Sequence, residues 1–175
     1  NAIAPESGTG VELRGNFDLG GPQINYSVYS TNGPRLKDGT EEAEEAGLLD
    51  FKNFEDNNLN KAFGGRLGVL PFSDSSTELG FSAYTTGGAG EEDTDYENTG
   101  AFLYALDLSY VKQISPLKGT LDVKAQYNHS KVDDANYFKM QEDGTAQEYT
   151  FDNQSEAFYT QLSYRPTMVE GNFFR

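Results

Sequence analysis

The stretch AFLYALDLSYVKQISPLKGTLDVKAQYN, residues 101–128, decides the fold class of this chain. Apolar side chains occupy every second position over residues 102–110, and Asp107 lies on the other side of the alternation. A period of two residues is typical of β-strands with one apolar and one polar face. The pattern breaks around Pro116 and resumes at Leu121. The stretch therefore predicts two antiparallel strands joined by a short turn.

The same alternation occurs in five other segments, which makes seven predicted strands. Their bounds are residues 11–19, 23–30, 62–70, 77–85, 101–112, 120–128 and 157–165. The connections alternate strictly between short turns, residues 20–22, 72–76 and 113–119, and long polar loops, residues 31–61, 86–100 and 129–156. This alternation predicts an all-β fold, a segment of an antiparallel up-and-down transmembrane β-barrel with short periplasmic turns and long extracellular loops. A β-sandwich is the alternative, although Greek-key crossings disturb such alternation.

The charge of the chain limits the classes of partner. There are 28 acidic and 13 basic side chains, for a formal net charge of −15. This argues against a nucleic-acid partner, because neutralising phosphates needs clustered Lys and Arg. Taking residues 31–61, 86–100 and 129–154 as loops, 19 acidic and 6 basic residues fall in them, so the loops carry −13 and the remainder −2. The predicted strands are nearly neutral, and the predicted loops are strongly anionic.

Hydropathy and cysteine content limit which membrane-spanning structures and which kinds of site the chain can contain. The mean hydropathy is −0.65. No run of about eighteen apolar residues occurs, which excludes a spanning helix in this sequence. Barrel strands of about 9 to 11 alternating residues keep hydropathy low, so these values remain compatible with a membrane protein. The absence of cysteine excludes thiol catalysis, disulfides and zinc-thiolate sites, and no cofactor is expected.

Five stretches of the sequence carry a family resemblance: INYSVYSTNGPRL (residues 24–36), EEAGLLDFKNFEDNN (44–58), NKAFGGRLGVLPF (60–72), DLSYVKQISPLKGTLDVKAQY (107–127) and FYTQLSYRPT (158–167). They resemble porins of Bacteroidetes outer membranes, including the phosphate-selective porin O/P-like group. The resemblance implies that residues 1–175 form a single β-barrel segment, an incomplete interior piece of a larger barrel. Phosphate selectivity does not follow, because the loops are acidic and no lysine cluster is present.

The function predicted from these observations is an outer-membrane porin-like channel of a Gram-negative bacterium, for passive passage of small polar solutes. The expected partners are outer-membrane lipid and lipopolysaccharide, with a homo-oligomer or a partner outer-membrane protein as further possibilities. One alternative is a non-conducting barrel whose loops dock a partner protein or glycan. Another is a soluble β-sandwich adhesin. An enzyme is not predicted.

Charged residues on the polar sides of the predicted strands are the candidates for lining a lumen. There they would set a transverse field for permeating solutes. In a plugged or packed barrel they would instead be paired interior charges. The candidates are Glu12, Arg14, Asp18, Arg66, Asp107, Asp122, Lys124 and Arg165. Aromatic residues near the strand ends, which suit interfacial girdles or else a sandwich core, are Tyr26, Tyr84, Phe102, Tyr110, Tyr127 and Tyr164.

Two loop segments carry dense acidic charge. The first is an extracellular acidic loop formed by Glu91, Glu92, Asp93, Asp95 and Glu97. Glu91, Asp93 and Asp95 make a weak divalent-cation candidate there, because calcium prefers hard oxygen ligands. The spacing is not that of an EF-hand, and a solvated acidic loop is the simpler interpretation. The second segment, residues 40–49, predicts either a short helix capped by Thr40 or an unstructured loop.

Motifs for catalysis are weak. His129 stands beside Ser130, with Asp133 nearby, as in a barrel-rim protease, but no second motif supports that chemistry. The GTG at residues 8–10 lacks the strand and helix of a dinucleotide fingerprint. A solvated histidine at a strand end is the preferred interpretation.

Overall fold

The computed structural model describes residues 8–39, 42–51, 58–140 and 145–166, and over these residues the chain is all-β. Seven strands form one antiparallel sheet, in the order β1-β2-β5-β6-β7-β8-β11. In chain order the strands are β1 (Gly10–Asp18), β2 (Gln23–Thr31), β3 (Arg35–Leu36), β4 (Leu49–Asp50), β5 (Ala62–Leu70), β6 (Thr77–Thr86), β7 (Ala101–Ile114), β8 (Gly119–Val132), β9 (Tyr137–Met140), β10 (Ala146–Tyr149) and β11 (Gln154–Pro166). The seven predicted strands and their up-and-down order are confirmed.

The connections differ in length at the two ends of the sheet. Neighbouring strands are antiparallel, so the three short turns lie at one end and the three long connections at the other. The alternation of short and long connections did not predict the two small hairpins inside the long ones, β3 with β4 and β9 with β10. For residues 40–49, where the sequence left a short helix and an unstructured loop open, the structure has one 3-10 turn at Ala43–Glu45, and Thr40 and Glu41 lie outside the described residues.

The strand register divides the sheet into two faces of opposite character. Cross-strand partners share a face, and one continuous row runs from Phe17 through Ile24, Val69, Leu79 and Leu108 to Ala125. The next row on the same face includes Tyr26, Leu67, Phe81, Leu106, Tyr127 and Phe158. We call this the apolar face. The residues between these positions form the polar face, because side chains alternate along each strand.

The apolar face is exposed across the whole width of the sheet. Leu13 on β1 is 64% exposed, Leu106 on β7 is 51% exposed, and Leu162 on β11 is 74% exposed. Soluble proteins rarely leave so extended an apolar surface open to water. Among the described residues, no helix has both the length and the apolar character needed to cross a membrane.

The buried core of the chain lies instead at the long-connection end of the polar face. Segments of the three long connections fold over this end and pack against one another, and we call this assembly the loop cap. It consists of the β3–β4 and β9–β10 hairpins with residues 86–100. The core residues shared by the loop cap and the sheet beneath it are Leu36, Phe51, Ala62, Tyr84, Ala89, Tyr96, Ala101, Leu103, Val132 and Tyr137.

The turn between β5 and β6 is held by a carboxylate. Asp74 Oδ1 accepts a hydrogen bond of 3.0 Å from the Ser76 backbone N–H, and Asp74 Oδ2 lies 3.2 Å from Lys112 Nζ. Hydrogen bonds from Ser76, together with Lys112, lower the pKa of Asp74 to about 2. The carboxylate therefore stays charged down to strongly acid pH, and the turn keeps its bonds there.

The sheet is open in the part of the chain that the structure describes. β1 pairs with β2 and β11 pairs with β8, and no ladder joins β1 to β11. Since seven strands alternate in direction, β1 and β11 run the same way.

Candidate functional site

All eight predicted lumen-lining residues lie on the polar face. The register places them there because each is one residue removed from an apolar-face position on its own strand. They spread across the sheet: Glu12, Arg14 and Asp18 on β1, Arg66 on β5, Asp107 on β7, Asp122 and Lys124 on β8, and Arg165 on β11. Whether this face encloses a lumen remains a prediction.

Arg66 is the centre of a charged cluster on the polar face. Its Nη1 donates to Glu78 Oε1 at 2.8 Å and to Asn25 Oδ1 at 3.3 Å. Its Nη2 donates to both carboxylate oxygens of Asp107, at 2.5 and 3.1 Å. We call Arg66, Asn25, Glu78 and Asp107 the Arg66 clamp. It joins four neighbouring strands, β2, β5, β6 and β7, through one guanidinium.

Two clamp residues were missed by the sequence analysis. Glu78 and Asn25 occupy polar positions of their strands, so the alternation alone was sufficient to place them on this face. Their contact with Arg66 depends on strand register, since Asn25 is 41 residues and Glu78 is 12 residues from Arg66 in sequence.

Glycines make room for the Arg66 guanidinium. A methyl group at Gly80 would collide with the Asp107 carboxylate and the Arg66 Nη2, and one at Gly68 would collide with Asn25 Oδ1 and approach Arg66 Nη1. Glycine weakens a strand interior and often marks a place where other groups approach the backbone closely. Gly68 and Gly80 therefore allow the charged groups to lie against the wall of the sheet.

Substituting Gly80 tests whether the clamp stabilises the sheet. Valine has a higher β-propensity than glycine, so a strand without the clamp would be stabilised by Gly80→Val. We expect the opposite, a loss of about 1 to 3 kcal/mol in the free energy of unfolding, because the side chain displaces Asp107 from Arg66. Urea unfolding in detergent, followed by circular dichroism, measures this change.

The matched control for that substitution is Gly87→Val. A side chain at Gly87 would meet no atom within 4 Å, and its backbone has no left-handed torsion. We expect a change within about 0.5 kcal/mol for this exposed site. Equal effects of the two substitutions would contradict a stabilising clamp.

The other arginines of the polar face also contact carboxylates. Arg14 is paired with Glu12 beside it on β1. Arg165 Nη2 lies 4.0 Å from Asp122 Oδ2 across the β8–β11 ladder. The fourth predicted basic residue, Lys124, is exposed. Three of the four basic candidates are therefore paired with carboxylates on the same face.

Aromatic stacking and hydrogen bonds hold the loop cap together. The ring of Tyr96 stacks on Tyr137 with centroids 5.7 Å apart, and Phe51 packs edge-on to Tyr84 at 6.0 Å. Asn153 Nδ2 donates to the Gly47 carbonyl oxygen at 2.7 Å, linking segments 106 residues apart. Tyr137 is fully buried, and burial raises the pKa of its phenol. These contacts join all three long connections into one unit.

Backbone hydrogen bonds and ion pairs also hold the segments of the loop cap together. The Leu36 N–H donates to the Ala89 carbonyl oxygen at 2.6 Å. The guanidinium of Arg35 lies 2.7 Å from Glu91 Oε2, which ties the β3–β4 hairpin to the acidic loop. Lys37 binds Glu45 within the first long connection, and that hydrogen bond raises the pKa of Lys37.

The predicted acidic loop lies at the edge of the loop cap. Glu91, Glu92, Asp93 and Asp95 are exposed, and Glu97 is half-buried. The Asp93 N–H donates to Glu97 Oε2 at 3.4 Å, which closes a tight turn. Within the described ranges, no group of three or more His, Asp or Glu side chains is arranged to hold a metal ion. The cation candidate at Glu91, Asp93 and Asp95 stays a prediction.

The three residues considered for protease chemistry are not brought together. His129 lies on the apolar face, with Nδ1 3.5 Å from Glu156 Oε1 and its ring 5.0 Å from that of Tyr104. Ser130 is the next residue on β8 and points to the opposite face. Asp133 lies beyond the strand, where its N–H donates to the Gly100 carbonyl oxygen.

Five of the six predicted girdle aromatics lie on the apolar face. They are Tyr26, Phe102, Tyr110, Tyr127 and Tyr164. The prediction for Tyr84 is wrong, because that side chain is on the polar face and only 5% exposed. It follows Ala83 on β6, so it points away from the apolar face and into the loop-cap core.

Comparison of the chain with protein-family models, curated proteins and solved structures gives no match.

Proposed function

We propose that the chain forms part of the wall of an outer-membrane β-barrel of a Gram-negative bacterium, a porin-like channel that passes small polar solutes without catalysing a reaction. The observation that carries the proposal is the opposite character of the two sheet faces. Lipid favours an outward apolar surface, and an aqueous lumen favours an inward polar one. In this orientation the eight charged candidates face the lumen.

The height of the apolar face supports a membrane location. On β7 the apolar positions run from Phe102 to Tyr110, a stretch of about 27 Å at about 3.4 Å per residue. Strands in membrane barrels tilt by about 40°, which reduces this height to about 21 Å. The lipid-facing band of such barrels is about 25 Å tall, so the two dimensions agree.

Aromatic side chains at both ends of the apolar face fit the same orientation. Phe63 and Phe102 lie at the long-connection end, and Tyr110 and Tyr164 lie toward the turns. Amphipathic rings at the two interfaces are characteristic of proteins that cross a bilayer. Lipid and lipopolysaccharide are accordingly the proposed neighbours of this face.

Closure of the barrel requires strands beyond the seven described. Unpaired backbone groups at the edges of β1 and β11 would cost several kcal/mol each in lipid. Because β1 and β11 run in the same direction, an antiparallel closure needs an odd number of additional strands. This is consistent with the even strand number of bacterial single-chain barrels.

Planar-bilayer recording on the full-length protein tests the proposal. We expect discrete conductance steps in a potassium chloride solution. A reproducible absence of steps from folded protein would contradict the channel. It would favour the second candidate, a non-conducting barrel that docks a partner protein or glycan. The folded loop cap at one end of the sheet would then be the docking surface. Protein that remains in solution without detergent would instead favour a β-sandwich adhesin.

Ion preference follows from the excess of acidic residues in the loops. Carboxylates around a pore mouth attract cations over about 30 Å at 0.01 M salt but only about 3 Å at 1 M. We therefore expect a cation-preferring channel at low salt that loses much of this preference at high salt. Reversal potentials across a salt gradient measure it.

Charge neutralisation in the acidic loop sharpens this prediction. Replacing Glu92, Asp93 and Asp95 by their amides should weaken cation preference while leaving the Arg35–Glu91 pair in place. Neutralising Glu92 alone should change little, because it removes only one of the many loop carboxylates that together attract cations. Anion preference at low salt would mean that arginines of the polar face govern permeation instead.

A further inference from the structure

Several charged side chains on the polar face are paired with one another. This pairing affects which solutes the polar face can bind. Arg66, Arg14 and Arg165 each contact a carboxylate on the same face. The Arg14 and Arg66 contacts are charge-assisted hydrogen bonds, which are about twice as strong as neutral ones. Arg165 and Asp122 form an ion pair at 4.0 Å. A charged solute at these arginines would have to displace one of these partners or remain without a counter-charge, whereas Lys124 on the same face is exposed. The three pairs therefore disfavour recognition of charged solutes around the arginines.

Uncharged hydrogen-bonding side chains lie beside the Arg66 clamp. Gln126 is opposite Asp107 on the β7–β8 ladder, Asn128 is opposite Ala105, and Ala105 is opposite Ser82. Ser82, Gln126 and Asn128 are all half-buried, so a solute can reach them. We call these three residues the amide patch.

The amide patch keeps hydrogen-bonding capacity for a ligand. Gln126 Nε2 donates to Asn128 Oδ1 at 2.9 Å, which orients the two amides. A side-chain amide has two N–H donors and an oxygen that accepts twice, so this bond uses only a part of the capacity of either residue. Groups that both donate and accept match solute hydroxyls, which also do both.

On the premise of the proposed channel, we propose that the polar face binds neutral, hydroxyl-rich solutes at the amide patch, in preference to solutes of either charge. Sugars are the simplest members of this class. The charged groups of the Arg66 clamp are paired with one another, so they are not available to a charged solute. Ala105 lies between Ser82 and Asn128 and has only a methyl side chain, so it leaves room for a sugar ring over the patch.

Current block by oligosaccharides tests this inference. The full-length protein is recorded in planar bilayers at 1 M potassium chloride, where a Debye length of about 3 Å screens the loop charges. The probes, in mildly acidic buffer, are maltotriose, which is neutral, trigalacturonate, which is anionic, and the glucosamine trimer chitotriose, whose amines are protonated at that pH. We expect maltotriose to reduce the current at a concentration about fivefold or more below that of either charged trisaccharide.

Two variants test whether maltotriose blocks the current by binding at the amide patch. Replacing Gln126 and Asn128 together by leucine should raise the half-blocking concentration of maltotriose about tenfold, because two neutral hydrogen-bonding groups are lost. The control is Gln23→Leu, the same kind of change on the polar face but at the turn end of β2, and it should leave the block unchanged. Channel steps in each variant show that it has folded.

The outcomes separate this inference from the proposed function. Channel steps with equal or stronger block by a charged trisaccharide, or with wild-type maltotriose block in the double variant, would overturn the inference alone. An absence of steps from the wild-type protein would overturn the proposed function and the inference that rests on it.

Discussion

Replacing Tyr137 with alanine is expected to open the loop cap while leaving the seven-stranded sheet folded. Tyr137 is fully buried, stacks with Tyr96 at 5.7 Å and packs at a tilt against Phe151 at 5.1 Å. Removing a buried aromatic ring costs about 3 to 5 kcal/mol, and this loss falls on contacts within the loop cap. Hydrogen exchange of the Leu36 amide, which donates to Ala89 across the cap, measures the opening.

Phe138→Ala is the matched control for this substitution. Phe138 is the next residue on β9 and is 37% exposed, so its ring is only partly packed. We expect a much smaller loss of protection at Leu36. Similar exchange in the two variants, or a loss of β-sheet signal with Tyr137→Ala, would contradict a separable loop cap centred on Tyr137.

Replacing Leu106 with arginine is expected to impair insertion into lipid vesicles. Leu106 is at the middle of the apolar positions of β7 and is half exposed. An arginine at the midplane on the lipid-facing side of a membrane barrel costs about 2 to 4 kcal/mol. The fraction folded in vesicles during urea titration, followed by tryptic protection, gives the change in free energy.

Ser109→Arg provides the comparison on the same strand. Ser109 is on the polar face, between Glu78 on β6 and Lys124 on β8. A charge there would face the proposed lumen, so we expect a change below about 1 kcal/mol. If Leu106→Arg inserted as well as Ser109→Arg, the apolar face would not be the lipid-facing side.

The sequence alone was sufficient to predict the main strands and the division of residues between the two faces. This worked because the two-residue period is a local property of extended backbone, and each side chain's face follows from its position in the alternation. The same local rule placed all eight charged candidates on the polar face. The same rule, applied from Ala83, excludes Tyr84 from the girdle aromatics, where the sequence analysis wrongly placed it.

Only the tertiary structure decided which groups meet. Arg66 and Asp107 are 41 residues apart, and they pair because the register of β5, β6 and β7 aligns them and Gly80 leaves space between them. The loop cap depends on contacts over greater separations, such as Asn153 with Gly47, in segments without a repeating pattern. Alternation predicts the direction of a side chain, but its partners depend on strand register and on how distant segments pack together.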